Sequence, residues 1–286
     1  MAKAKREMLQ TLSLADVAIE VLDARAPEAS RNPDLAKMFA HKPRVVVLNK
    51  EDMADPAVNQ LWLQHYREQG AQAVLYCATK SGGNGPILKA IEKAAEPVVA
   101  RWAAKGAAKP VRVMIAGIPN VGKSSLINCL SGKSRTKVGA TPGVTRGKQW
   151  VRLSPKLELL DTPGILWPKL EDRGGAMRLA ILNAIRDEVL ETMEIAAGLI
   201  EILRTMAPRA INRRYGVETE EKTVEEILYG IGKRRGFIVK GGEVDEERAA
   251  VNLIDEFRSG KLGRISLERP YAYPIDKEET DEASRI

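Results

Sequence analysis

The spacing of apolar residues changes character along the chain. Over the first hundred residues, β-branched runs at 16–24 (DVAIEVLDA), 44–50 (RVVVLNK) and 73–78 (AVLYCA) alternate with stretches whose apolar positions recur at helical spacing. Such alternation predicts βαβ units and a parallel sheet. The segment 103–110 (AAKGAAKP) is small, basic and closed by a proline, the composition of an exposed linker. A fourth strand follows at 111–117, a glycine-rich loop leads into a helix at 123–131, and two further strands at 148–153 and 157–164 flank the turn residues Ser154, Pro155 and Lys156.

Six strands are enough for a nucleotide-binding sheet. From about residue 174 the period becomes helical: Thr223 begins a Thr-Val-Glu-Glu capping box, and Ala249, Ala250, Leu253, Ile254 and Phe257 repeat at helical spacing up to Gly260. The expected organisation is an α/β unit at 1–173, a small all-helical unit at 174–270, and a charged tail at 271–286 without a core of its own. The first unit divides into 1–102, the linker 103–110 and 111–173.

Composition narrows the possibilities. A chain of 286 residues with 44% hydrophobic side chains can bury a core, and no apolar run approaches the length of a membrane helix or a signal peptide. The expectation is a cytoplasmic protein without membrane contact. Cys77 and Cys129 are expected to be reduced and buried, and with only His41 and His65 beside them a zinc site is not expected. Both histidines are expected at the surface. The net charge of +7 suits a polyanionic partner without naming one.

Three motifs carry chemistry. The sequence GIPNVGKS at 117–124 satisfies G-x-x-x-x-G-K-[ST] between a strand and a helix, the context of a phosphate loop. Gly117 and Gly122 let backbone N–H groups curl around phosphates, Lys123 reaches the β- and γ-phosphates, and Ser124 offers its hydroxyl to Mg²⁺; Val121 and Ser125 complete the cradle. At 161–164, DTPG ends a strand, so that Asp161 can hold Mg²⁺ through water and the Gly164 N–H can sense the γ-phosphate. Asn49, Lys50, Glu51 and Asp52 form Asn-Lys-x-Asp. Its carboxylate can accept from both N1–H and the 2-amino group of guanine, donors that adenine lacks. Asn49 can tie this loop to the phosphate loop, and the stem of Lys50 can cover the base. The strand end at Cys77 and Ala78 supplies a second base contact through a backbone N–H.

The order of these motifs is unusual, because the base-reading motif precedes the phosphate loop. The series reads as an ordinary GTPase cut before its fourth element and rejoined through 103–110, a circular permutation of the kind that surface termini tolerate. The helical unit then hangs from the segment after DTPG, which moves when γ-phosphate is lost.

Together with DAR-A-P-EAS-RNP at 23–33, ATPGVTRGKQW at 140–150 and LLDTPGILWPK at 159–169, these motifs resemble the circularly permuted ribosome biogenesis GTPase A, or YlqF, family, over almost the whole chain to about residue 270. The resemblance implies a permuted Ras-like domain with a helical RNA-binding domain, and a role in late assembly of the large ribosomal subunit and its rRNA, by a monomer. It also implies that Thr145 is the switch threonine that closes on Mg²⁺ and γ-phosphate, and that Asn120 is an asparagine that binds K⁺. Catalytic roles are thus expected of Asn120, Lys123, Thr145 and Gly164.

The Ras-like water-positioning glutamine is replaced by Ile165, followed by Leu166, so the hydrolytic helper must come from elsewhere. The family's assisting histidine would stand just ahead of the Met-Ala-Lys-Ala run, a place before Met1. Basic residues Lys233, Arg234, Arg235, Lys240, Arg258, Lys261 and Arg264, with Lys3, Lys5 and Arg6, are candidates for rRNA phosphate contact or for a solvated face. Two alternatives to the assembly GTPase stand beside it: a GTP-responsive rRNA scaffold with little turnover, and a permuted GTPase of the small subunit.

Overall fold

Every residue of strand β1 (Val17–Asp23) is buried, which places this strand inside the sheet rather than at its edge. The computed structural model describes residues 12–39, 41–78, 83–131, 150–161, 173–185 and 191–271. Strands β2 (Arg44–Asn49), β3 (Gln72–Tyr76), β4 (Val111–Ala116), β5 (Trp150–Ser154) and β6 (Leu157–Asp161) complete a six-stranded sheet of order β3-β2-β1-β4-β6-β5. All neighbouring pairs are parallel except β5 and β6, which form an antiparallel hairpin around residues 155–156. Strands β1 to β4 are one or two residues shorter than the apolar runs that foretold them, because strand ends pass into loops without a change of composition.

Side-chain alternation decides what covers each face. Val17, Ile19 and Val21 of β1, Val45 and Val47 of β2, and Val113 and Ile115 of β4 point into the face covered by α3 (Gly85–Ala103) and α4 (Lys123–Ser131). Leu22, Val46 and Leu48 point the opposite way, against Val58, Trp62 and Tyr66 of α2 (Pro56–Glu68), while Ala18 and Met114 meet Leu35 of α1 (Pro33–Met38). Both helices on this face start by the same device. Asn32 and Asp55 accept hydrogen bonds from the free N–H groups of the first turn, and Pro33 and Pro56 occupy positions where no N–H is needed.

The remaining described helices are α5 (Arg173–Ile181), α6 (Thr192–Met206), α7 (Ala210–Tyr215), α8 (Val224–Arg235) and α9 (Glu246–Arg258). The capping box is present at Thr223, and Gly236 ends α8 in the left-handed conformation at φ 68°. Helix α9 packs on α6 and α8, and the apolar cluster runs from the sheet face through α5 into these helices. At the heart of the helical part Glu256 accepts from Arg214, Arg235 and the Tyr215 hydroxyl at 2.7–3.0 Å. The hydrogen bond from Arg214 leads, with Tyr215 and Arg235 adding to it, in pulling the Glu256 carboxyl down to about 2 against its burial. The charged tail beyond Tyr271 lies outside the described residues.

Candidate nucleotide site

Parallel register brings the motifs to one edge of the sheet. Asp23 stands beside Asn49, Asn49 beside Tyr76, and Ile115 beside Asp161, so the carboxyl ends of β1, β2, β3, β4 and β6 all point the same way. Ligands of open parallel sheets bind at that edge. The chain permutation is visible in the order of the strands: the one ending in the base-reading motif is second in the chain, and the one feeding the phosphate loop is fourth.

The phosphate-loop residues 117–122 join β4 to α4. Two of them take the left-handed conformation, Asn120 at φ 62° and Gly122 at φ 95°. A Cβ on Gly122 would fall 2.1 Å from the Asn49 Nδ2, and one on Gly117 would fall 2.6 Å from the Val21 carbonyl. Only glycine fits these two close approaches. The Lys123 ammonium is buried and donates to the Ile118 carbonyl at 2.7 Å, which holds it over the loop; Ser124 is exposed at the start of α4 and Ser125 is half-buried. Backbone N–H groups at a helix start, a lysine and an exposed hydroxyl are a donor set that fits a nucleotide's phosphates with Mg²⁺.

Asn49 joins the two halves of this edge. Its Nδ2 donates to the Val121 carbonyl at 2.8 Å, and its Oδ1 accepts from the Ala78 N–H at 3.1 Å. One buried side chain therefore fixes the base-reading strand end, the Cys77-Ala78 strand end and the phosphate loop against each other. Lys50, left-handed at φ 60°, donates to the Asn120 carbonyl at 2.8 Å and meets Asp23 at 2.9 Å. Its stem is thereby laid across the top of the site. Glu51 and Asp52 begin a single 3₁₀ turn that ends at Met53.

Behind Lys50 lies a buried pair that sequence reasoning did not single out. The Arg25 guanidinium donates from Nε and Nη2 to the two oxygens of Asp23, at 2.9 and 2.8 Å, and its plane lies 5.4 Å from the Phe257 ring of α9. Burial alone would raise the Asp23 carboxyl; Arg25 first and Lys50 second overcome this and hold it well below the usual carboxylate range. A carboxylate at the last position of β1 with an arginine two residues on was the available signal.

Other expectations fare differently. Asn120 donates from Nδ2 to the Asn183 carbonyl at 2.5 Å, which ties the phosphate loop to the end of α5. Cys77 and Cys129 are free, as expected, but half-buried rather than buried; Cys129 accepts from the Tyr76 hydroxyl at 2.8 Å and contacts Asn84 at 3.0 Å. His41 is exposed, whereas His65 is half-buried with its ring 5.4 Å from Trp62 and 5.3 Å from Tyr66, because the amphipathic α2 turns it toward the aromatic face. Four of the basic residues are engaged within the chain: Arg234 with the Gly216 carbonyl at 3.5 Å, Arg235 with Glu256, Arg258 with the Ala180 and Ile181 carbonyls, and Arg264 with Glu51 and Ala54. Lys233, Arg234, Lys240 and Lys261 are exposed. Thr145, Gly164, Ile165 and Leu166 lie outside the described residues, and Asp161 is described as the last residue of β6.

Fold and site together define a circularly permuted P-loop GTPase. A family model described as "50S ribosome-binding GTPase" matches residues 112–238. The chain is 41% identical over 272 residues to the ribosome biogenesis GTPase A of Priestia megaterium, covering 94% of each chain, and 33% identical over 279 residues to that of Thermotoga maritima, covering 97% of this chain and 95% of the relative. Among solved structures, the GNP-bound YlqF of T. maritima matches with a TM-score of 0.67 at 30% identity, over 94% of this chain and 99% of that one. The GDP-bound form matches equally, with a TM-score of 0.67. The chain belongs to the ribosome biogenesis GTPase A family, and it is a GTP hydrolase.

Proposed function

We propose that this GTPase, whose work is the assembly of the large ribosomal subunit, docks in its GTP form on a nearly mature subunit and leaves after hydrolysis. In this reading 1–173 is the nucleotide-switching part, 174–270 contacts rRNA, and 271–286 is a tail. Guanine is read by Asp52, with Asn49, Lys50, Glu51, Cys77 and Ala78 shaping the base pocket. Val121, Gly122, Lys123, Ser124 and Ser125 cradle the phosphates. Ser124, Thr145 and Asp161 hold Mg²⁺, Gly164 senses the γ-phosphate, and Asn120 contributes to a K⁺ position. When bound, the two cations supply positive charge to the transferring phosphoryl group.

The observation that carries this reading is the Asn49 side chain, which spans from the base-reading strand end to the Val121 carbonyl at 2.8 Å. It makes one site of two motifs that are out of their usual order. Because Ile165 stands where a glutamine would orient water, turnover by the isolated protein is slow and the subunit completes the site. The protein acts as a cytoplasmic monomer; among the described residues no helix is long and apolar enough to cross a membrane.

Cosedimentation with purified large subunits tests docking. Binding in a non-hydrolysable GTP analogue and release in GDP is the expected pattern. Equal binding in both states would favour the scaffold reading, and preference for small subunits would favour the third.

A further inference from the structure

The loop that carries Asp52 is held partly by its own turn and partly by a distant segment. After Lys50 the chain makes one 3₁₀ turn, Glu51–Met53, and reaches α2 through Ala54 and Asp55; the Met53 N–H donates to the Lys50 carbonyl at 2.9 Å, and the Ala54 N–H and Asn59 Nδ2 donate to the Glu51 carbonyl at 3.4 and 3.1 Å, which is a thin local network for a turn of three residues. Further partners, including the donors to the Met53 and Ala54 carbonyls, come from residues 264–267, more than two hundred positions away.

Arg264 donates from Nε to the Ala54 carbonyl at 3.0 Å, and from Nη2 to the Glu51 carbonyl at 2.9 Å and the Glu51 carboxylate at 3.2 Å. The Ile265 N–H donates to the Met53 carbonyl at 2.9 Å, Ser266 Oγ accepts from the Asp55 N–H at 3.2 Å, and the Leu267 N–H donates to the Arg25 carbonyl at 2.7 Å. This extended strap leaves α9 and is laid residue by residue along the base-reading loop. Its far end is fixed too: the Trp62 indole and the Arg178 guanidinium donate to the Glu268 and Leu267 carbonyls at 3.4 and 3.2 Å.

We propose that Arg264 is a specificity-setting positioning residue, which holds the Glu51–Ala54 turn so that the Asp52 carboxylate meets both guanine donors at once. The inference rests on the reading of Asp52 as the base acceptor. A bidentate contact needs angular precision that a single 3₁₀ turn, closed by two backbone bonds and one from Asn59, supplies poorly by itself. Arg264 supplies it with a planar fork on both ends of the turn. Its side chain is 45% exposed, so truncation removes these bonds without opening a core. The strap also makes base recognition and the seating of α9 parts of one hydrogen-bonded unit, and coupling between them is reciprocal.

The test uses the full chain and fluorescent-ribose GDP and IDP, since inosine lacks the 2-amino group and can satisfy only one carboxylate oxygen. The wild-type ratio of dissociation constants, IDP over GDP, should be about tenfold or more. Asp52→Asn should bring it near one. Arg264→Ala should lower the ratio by about threefold or more, mainly through weaker GDP binding, and Arg264→Lys should restore part of it.

An Arg264→Ala ratio equal to wild type, with Asp52→Asn still collapsing it, would overturn the inference and leave the strap a tether. A wild type that does not discriminate, or an Asp52→Asn protein that still does, would instead refute the base-reading assignment itself. If Arg264→Ala does not fold, Ser266→Ala, which removes the acceptor for the Asp55 N–H, is judged by the same ratio: a fall supports the inference and an unchanged value overturns it.

Discussion

The Asn49 Nδ2 and the Val121 carbonyl are 2.8 Å apart across 72 residues of chain, with the Ala78 N–H on the same side chain's oxygen. Asn49→Ala removes both bonds and leaves the buried Val121 carbonyl and the half-buried Ala78 N–H without this partner, a loss of about 1–3 kcal/mol. GDP affinity measured by titration should fall about tenfold or more. An affinity within twofold of wild type would show that the loops hold their places without it.

Gly122 faces that same amide. A methyl group there would overlap the Asn49 Nδ2 at 2.1 Å on a residue already at φ 95°. Gly122→Ala should therefore weaken nucleotide binding and lower stability by about 1–3 kcal/mol, read as a reduced midpoint in thermal unfolding. A midpoint and affinity like wild type would mean that the loop relaxes freely.

The Asp23–Arg25 pair makes a charge-balance prediction. Asp23→Asn leaves the Arg25 guanidinium buried without its counter-charge, and breaking such a pair costs about 3–5 kcal/mol. Replacing both, as Asp23→Leu with Arg25→Met, should recover much of that loss in chemical denaturation. A double variant no more stable than the single one would place the value of Arg25 in its Phe257 and Arg258 contacts instead.

Glu256 predicts an acid-side effect. Its carboxyl is drawn down from 4.5 to about 2 by Arg214, Tyr215 and Arg235. With the folded value below the unfolded one, its contribution is fully present above about pH 4.5 and is lost as pH falls toward 2. Glu256→Gln should be less stable than wild type at neutral pH, with the difference narrowing between pH 4.5 and 2 in denaturant titrations. A difference that is constant over that window would contradict the assignment.

The sheet was readable because its strands are apolar on both faces. The interiors of β1, β2 and β4 hold only Glu20 and Arg112 as polar residues, with Asp23, Arg44 and Asn49 at strand ends, so they have no polar side to confuse with a helix. The phosphate loop and the base-reading loop were readable because their chemistry is local to a few residues. What sequence could not supply were partners far along the chain. Arg264 and Arg258 read equally well as solvated or RNA-facing charges until the Ala54 and Ala180 carbonyls are seen beside them. Glu256 sits on the apolar face of α9, and a lone acidic residue in that pattern does not announce three donors from two other helices. Cys129 was half-exposed for a similar reason, since its position in α4 depends on where Tyr76 and Asn84 fall.

The most direct test of the assembly-GTPase reading is GTP turnover at saturating nucleotide, with and without purified large ribosomal subunits, in K⁺ and in Na⁺ at equal ionic strength. Slow basal turnover, strong stimulation by the large subunit and dependence on K⁺ are expected together. Turnover that stays flat while GTP and subunits both bind would contradict it and make the chain a GTP-responsive scaffold.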